Sequence, residues 1–477
     1  MGLLLAWRDG VSAAAAGGGA VAVTGPGGRV TLRGLGPGLL GAVARLDPPG
    51  DDEDRLAGAV VAGGGELPRW FFHLDRLTRN GLVGWSAHEA GARLATLTAT
   101  APGFATTPVG PAADGRYALS RFAYLRRLGD AAVVETPLAP ARVTLADGRA
   151  AALVGALAAP AAAAELAARA GLSAAAAAGV LTLLLRGGMA VGAGAAEECD
   201  PALRTWAFHD LLFHARSRKG RSDAAYGGTY RFAGGDLPMP PALKPTPAGE
   251  AVPLARPDRP GRDDPPLGWV LEHRRSVREF DRDRPVTAGE LGEFLYRVNR
   301  VTDRRAAEVP TARGPVAAEL AARPYPAGGG LYELEVYAAV NACAGLAPGL
   351  YYHEPAGHRL VRVAGRTPAV DGLLRDAGGS TGVPADELQV VLVLAARVPR
   401  VAWKYESIAY ALVLKHVGVV YQTMYLAATA MGLGACAVGG GDADLFARAA
   451  GTAYAAETSV GEFLLGRRRG GPPAGPG

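Results

Sequence analysis

The chain has 477 residues, 49% of them hydrophobic and 20% charged, which describes a globular protein too long for a single core. Its net charge of +5 is mild, and residues 1–200 hold 17 Arg against 17 Asp plus Glu, so that part is neutral and offers no basic stripe for nucleic acid. Three cysteines, Cys199, Cys343 and Cys436, lie far apart without metal-type spacing, which excludes a disulfide framework and a zinc site. The opening MGLLLAWRDG has too short an apolar run, and no basic start, for a signal peptide.

Residues 1–100 read as a small mixed unit. Apolar residues 21–23 and 30–32 flank a Gly-rich turn and predict a hairpin. Helices are predicted over 39–46, 51–61 and 67–77, with Trp70, Phe71, Leu74 and Leu77 on one face of the third. Asn80 and Gly81 stop it before a strand at 82–85. Residues 117–192 repeat the plan: a hairpin from 131–136 and 142–145, helices over 151–157, 161–170 and 173–186, then a strand at 189–191. LTRNGLV and LLRGGMAV are the clearest matching pieces, and the order suggests a duplicated winged-helix unit. The third helix of the second unit has one basic residue, too few for phosphate contacts along DNA. A neutral unit of this kind with a free hairpin edge can take a peptide as an added strand, or serve as a spacer.

Residues 200–262 form a connecting region. It starts with a predicted helix over 205–214, whose His209 and His214 are five apart and do not share a face. The stretch 237–266 is so rich in Pro and Gly that it reads as mostly irregular. From residue 263 to 470 the final domain is expected, followed by a disordered tail over 471–477. Arg274, Arg275, Ser276 and Arg278 follow a short helix. Guanidinium forks and a hydroxyl can converge on a dianion, and the run reads equally well as a solvated charge face. Thr287 with Glu290 is a capping box for a helix over 288–298. A Gly triplet precedes a strand at 331–341, a hairpin follows from 349–353 and 359–363, and the apolar run 388–396 reads as a central strand.

Only four lysines occur in the chain, and Lys404 stands beside Tyr405 just ahead of a long apolar helix. That helix has the length to span a bilayer, but Lys415, His416 and Gln422 fall in its middle, so it is expected to be buried in protein, and the chain to be cytoplasmic. It runs into MGLGACAVGGG and a last strand at 457–466. Two arginine clusters and two glycine clusters around one sheet suggest a planar cofactor bearing a phosphate. None of the glycines forms a GxGxxG turn, so a dinucleotide fold of that type is not indicated.

Taken together, RRSVREF, the glycine triplet, GLYYHEPAGHRLVRV, MGLGACAVGG and FLLGR resemble the nitroreductase-type flavoproteins. Lys404 with Tyr405, and WAFHDLLFHARSRKGR with GGTYRF, resemble the peptide-azoline dehydrogenases of streptolysin S-like (SagB-type), microcin B17-like and cyanobactin pathways. The resemblance implies an α+β fold with a mixed sheet and a long central helix, dimeric, with FMN at the subunit interface. It implies that Arg274, Arg275, Ser276 and Arg278, with Arg467, hold the phosphate end. Ala327, Gly328 and Gly329 would lie by the flavin ring, and Gly439 and Gly440 would offer it backbone N–H groups. Ala327 stands where relatives have Ser. Lys404 and Tyr405 would be the catalytic pair. The implied reaction oxidises thiazoline or oxazoline rings of a ribosomally made precursor peptide, with oxygen as final acceptor. The implied partners are the peptide, whose leader would be read by the winged units and whose azoline core would enter the flavin site, and a cyclodehydratase. Two alternatives remain: an NAD(P)H-dependent nitroreductase or flavin reductase, and a peptide-binding scaffold without catalysis.

Overall fold

The computed structural model describes all residues except 1–2, 26–27, 106–108, 195, 259–260, 262 and 472–477, and of Ala196 only the backbone. The tail expected over 471–477 therefore lies, from residue 472, outside the described residues. The chain divides into two compact units, Met1–Ala224 and Ala225–Gly477.

The first unit contains the repeat. In its first half the strand Leu4–Trp7 lies between Asp51–Asp52 and Val83–Glu89. In its second half Arg116–Leu119 lies in the same way between Ala161–Ala162 and Ala190–Gly192. Each half carries a hairpin, then three helices: Pro37–Ala44, Glu53–Ala62 and Leu67–Arg79, then Gly148–Ala156, Ala163–Ala170 and Ala174–Arg186. Side-chain caps start three of the six, with Asp52, Asp147 and Ser173 accepting from backbone N–H groups that the helix leaves unpaired. On the helix Leu67–Arg79 the buried apolar residues are Trp70, Leu74 and Leu77, while Phe71 is exposed, a correction to the expected face. Trp70 and Leu77 lie seven residues apart, nearly two turns, and fix the rotation; Phe71 is then turned about 100° away. Ala92–Ala99 joins the two halves' strands into one seven-stranded sheet.

The helix expected over 205–214 is two helices. Asp200 caps Pro201–Thr205, the chain extends at Trp206 and Ala207, and a second helix runs Phe208–Arg216. Asp followed by Pro is a helix start, which is why the first of the two begins at Pro201.

In the second unit seven strands pair in the order Ala251–Pro253, Arg359–Ala364, Gly349–Glu354, Leu334–Val340, Val390–Ala396, Thr458–Arg467, Leu433–Val438. Every pairing is antiparallel, so the mixed sheet implied by the resemblance is corrected. Burial patterning marks a strand but not its direction. Val390–Ala396 is buried along its whole length because two separate cores lie on the sheet's two faces. Ala288–Asn299 and Ala409–Ala430 pack in one core, Pro368–Thr381 and Ala443–Ala450 in the other. The Thr287 capping box is present. Among its described residues the Pro-rich segment is irregular except where Ala251–Pro253 adds an edge strand, and Arg397, Arg400 and Trp403 fix it by donating to the carbonyls of Pro241, Ala242, Pro240 and Leu237. Among the described residues no single helix is long and apolar enough to cross a membrane.

Candidate functional site

Helix Ala409–Ala430 organises the site. At 1.5 Å per residue its 22 residues span about 33 Å. Its buried stripe, Val413, Val417, Val420, Met424 and Ala428, follows the 3–4 spacing of a helix face on a core. Polar side chains flanking that stripe reach three separate segments.

The first is the glycine triplet. Gly328–Gly330 forms one turn in which Gly329 and Gly330 adopt φ of 65° and 68°, a conformation that costs other residues steric strain. The Gly328 N–H donates to His416 Nε2 (2.7 Å), so the ring proton of His416 sits on Nδ1, 2.7 Å from Glu333 Oε1. Buried Arg400 holds the other end of the turn by donating to the Leu331 carbonyl at 2.8 Å, and burial lowers its pKa to about 10. A Cβ on Gly329 would collide with Lys404 Nζ and lie 2.8 Å from Tyr405 Oη. The bare Cα of Gly329 is thus where the two candidate catalytic side chains converge. The pair does not sit on the helix end: Tyr405–Glu406 is a short strand against Gly227–Gly228, and the helix starts at Ala409 after Ser407, whose φ is 61°. Ala327 lies in extended backbone just before the turn.

The second segment is the arginine run. The chain leaves helix Leu267–His273 extended, and Val277 N–H bonds to the Ala435 carbonyl. The Arg274 guanidinium lies over the Tyr425 ring at 5.1 Å, and Ser276 Oγ is 2.9 Å from Tyr425 Oη, which also accepts from the Ala437 N–H. Arg274 and Ser276 therefore meet at Tyr425. Arg275 turns back to donate to the carbonyls of Glu272 and Arg274, and Arg278 is exposed. Arg467 is engaged by Glu290 at 2.6 Å, while its Nε is buried without a partner among the described residues.

The third is the loop after Leu433–Val438. Gly439, Gly440 and Gly441 line a cavity of about 580 Å³ together with Tyr421, Thr458 and Glu462. Gly441 rests on the Glu462 carboxyl, so a side chain there would collide with it. Burial pushes the Glu462 carboxyl up to about 7, a hydrogen bond from Ser459 opposes the shift, and Asp376 adds to it. The Tyr421 hydroxyl donates to the Val438 carbonyl at 3.3 Å. Thr458 Oγ1 is buried without a partner among the described residues. A Cβ at Gly439 or Gly440 would meet nothing within 4 Å, so this bare backbone in the cavity wall fits the close approach of a flat ligand. The guanidinium and hydroxyl at Tyr425 fit an anionic end.

His416 and Tyr425 are nine residues apart, about 900° of helical rotation, so they leave the helix on opposite flanks. The contacts agree. His416 faces the turn that precedes Leu334–Val340, while Tyr421 and Tyr425 pack on Phe463 of Thr458–Arg467. The sequence reading missed His416 as a site residue, together with Glu333 and Tyr425. A lone histidine inside an apolar helix was their one visible signal.

Residues 271–467 match the model of the nitroreductase family, and residues 117–223 match the model described as cyanobactin oxidase ThcOx. A Methanocaldococcus jannaschii protein described as a nitroreductase is 31% identical over 176 residues, covering 36% of this chain and 76% of that one. A solved structure described as a nitroreductase of Ralstonia eutropha is 24% identical, with a TM-score of 0.36, over 49% of this chain and 95% of its own. The Escherichia coli microcin synthetase McbBCD complex with truncated pro-MccB17 bound is 20% identical over 40% of this chain and 68% of its own, with a TM-score of 0.34. On the identity and coverage of the M. jannaschii relative, supported by the family model over residues 271–467, this chain belongs to the nitroreductase family of oxidoreductases.

Proposed function

We propose that this protein is an FMN-dependent dehydrogenase that oxidises thiazoline or oxazoline rings of a precursor peptide to thiazole or oxazole. The observation that carries the reading is the convergence of Lys404 Nζ and Tyr405 Oη on the bare Cα of Gly329, at a turn pinned by His416 and Arg400. The match of residues 117–223 to the cyanobactin oxidase model supports a peptide substrate.

When bound, FMN supplies the two-electron acceptor for the ring hydride. Arg274 and Ser276 would hold its phosphate end, with Arg275, Arg278 and Arg467 adding positive charge. Ala327, Gly328 and Gly329 would border the ring plane, and Gly439 and Gly440 would present backbone N–H groups to it. Ala327 offers no hydroxyl there. One of Lys404 and Tyr405 accepts the ring C–H proton while its neighbour stabilises the developing charge. The duplicated units in the first half, read as winged helices, would recognise the leader, and the working form would be a homodimer beside a cyclodehydratase.

A mass-spectrometric assay on an azoline peptide tests this: each ring should lose two hydrogens, and Lys404→Ala should retain the yellow cofactor but abolish the loss. Rapid flavin bleaching by NADPH alone, with none by azoline peptides, would instead support the second reading, a small-molecule reductase. That reading is favoured by the M. jannaschii relative, whose match covers only 36% of this chain.

A further inference from the structure

Segment Gly227 to Phe232 faces the Lys404 backbone. Gly227–Gly228 pairs antiparallel with Tyr405–Glu406, the Tyr230 N–H donates to the Lys404 carbonyl at 3.1 Å, and Thr229 Oγ1 donates to Glu406 Oε2 at 2.5 Å. Arg231 adds an ion pair with Glu406 at 3.7 Å. Within this strap Tyr230 adopts φ of 51°, a left-handed conformation that is costly for a bulky aromatic residue. The contacts on both sides of it fix that conformation, and its product is the placement of one ring. Lys404 Nζ lies 5.4 Å from the centroid of Tyr230 and 5.1 Å from that of Tyr405. Both distances are within the range where a ring quadrupole attracts an ammonium. Tyr230 is itself braced edge-on by Trp403, at 6.2 Å and 83°. With Gly329 at the tip of the lysine, the ammonium has an aromatic ring on two sides and a bare Cα before it.

We propose that Tyr230 is a positioning residue: its ring closes an aromatic cage that holds the Lys404 ammonium at Gly329. This rests on the azoline dehydrogenase reading only for what the lysine then does: a caged ammonium stabilises developing charge and leaves Tyr405 to accept the ring proton. A four-carbon stem has many rotamers, and a second ring restricts them to the one that meets the reacting site. The attraction comes from the ring face and not from the Tyr230 hydroxyl, so phenylalanine should replace it. A branched aliphatic residue keeps bulk but lacks the quadrupole.

The test has two arms on the full-length, flavin-loaded protein. In the first, Lys404 is acetylated by a water-soluble activated ester and its rate is followed by peptide mass mapping. Tyr230→Phe should react as slowly as the parent. Tyr230→Leu should react faster, by roughly 2- to 30-fold, the range of a lost cation–π contact. In the second arm, azoline oxidation should lose kcat in Tyr230→Leu with KM unchanged, and Tyr230→Phe should keep both. If Tyr230→Leu does not fold, replacement of Tyr230 by pentafluorophenylalanine keeps the shape and removes the attraction, and should also speed acetylation. An unchanged acetylation rate in the folded leucine or fluorinated variant overturns the cage. Slow acetylation that is relieved in these variants, in a protein with no azoline activity, upholds the cage and rejects the dehydrogenase reading alone.

Discussion

Arg274 and Arg275 are neighbours of the same charge with different fates. Arg274 is laid over Tyr425 beside Ser276, whereas Arg275 is tied to backbone carbonyls of its own segment. Arg274→Ala should therefore weaken FMN retention by roughly 10- to 100-fold, the scale of one charge-assisted hydrogen-bonding group, and Arg275→Ala by much less. Flavin release on dilution, followed by fluorescence, checks the contrast; equal losses would contradict it. Glu462 offers a prediction in pH. Its folded pKa of about 7 lies above the ordinary carboxyl value of 4.5, so the folded state keeps a proton that the unfolded state has lost. Its burial costs nothing below the unfolded value. The cost grows as pH rises from about 4.5 to about 7, reaching at most about 3 kcal/mol. Glu462→Gln should raise stability relative to the parent at pH 8 and not at pH 4.5. Urea midpoints at the two pH values measure the difference, and a pH-independent gap would show that Glu462 is not the source.

Helices with chemical punctuation were legible from sequence alone. Thr287 and Glu290 announce the start of Ala288–Asn299, and the apolar run 388–396 announces a strand covered on both faces. The hairpin Asp303–Val309 with Val316–Ala322 was not legible, because DRRAAEV and VAAELAA show no apolar–polar alternation and bury little. Strand direction was hidden for a different reason: an apolar pattern is the same read either way. At the site, the glycines and Lys404 could be picked out as types, while their partners could not. His416 meets Gly328 from 88 positions away, and Tyr425 meets Ser276 from 149. No local pattern encodes such pairs. The long helix that collects them is itself held by its buried stripe. Met424→Ala, at a fully buried position, should cost about 2–5 kcal/mol in urea unfolding of the second unit. A loss under 1 kcal/mol would mean that the stripe is not what fixes the helix.

Across the whole chain, each unit has its own core. One apolar cluster draws only on residues 5–190, and two others only on residues 242–465. A fragment covering 225–477 should therefore fold cooperatively and bind FMN, while losing turnover of leader-bearing peptide. Circular dichroism and flavin absorbance read the first two, and mass spectrometry the third. An insoluble or colourless fragment would refute this account.

The half-turn offset between His416 and Tyr425 has a consequence for genetics. One face of the helix carries the Lys404 side of the site and the other the Arg274 side, so in the proposed homodimer one flat cofactor could take the first from one copy and the second from the other. Two impaired proteins, one without turnover and one depleted of flavin, should then repair each other. Lys404→Ala and Arg274→Ala chains, unfolded and refolded together, would form mixed pairs with one whole site and one doubly damaged site. Activity should return to roughly a quarter of the parent's, given random pairing of subunits in a twofold dimer. A mixture that stays dead would show that each chain keeps both halves of the chemistry to itself.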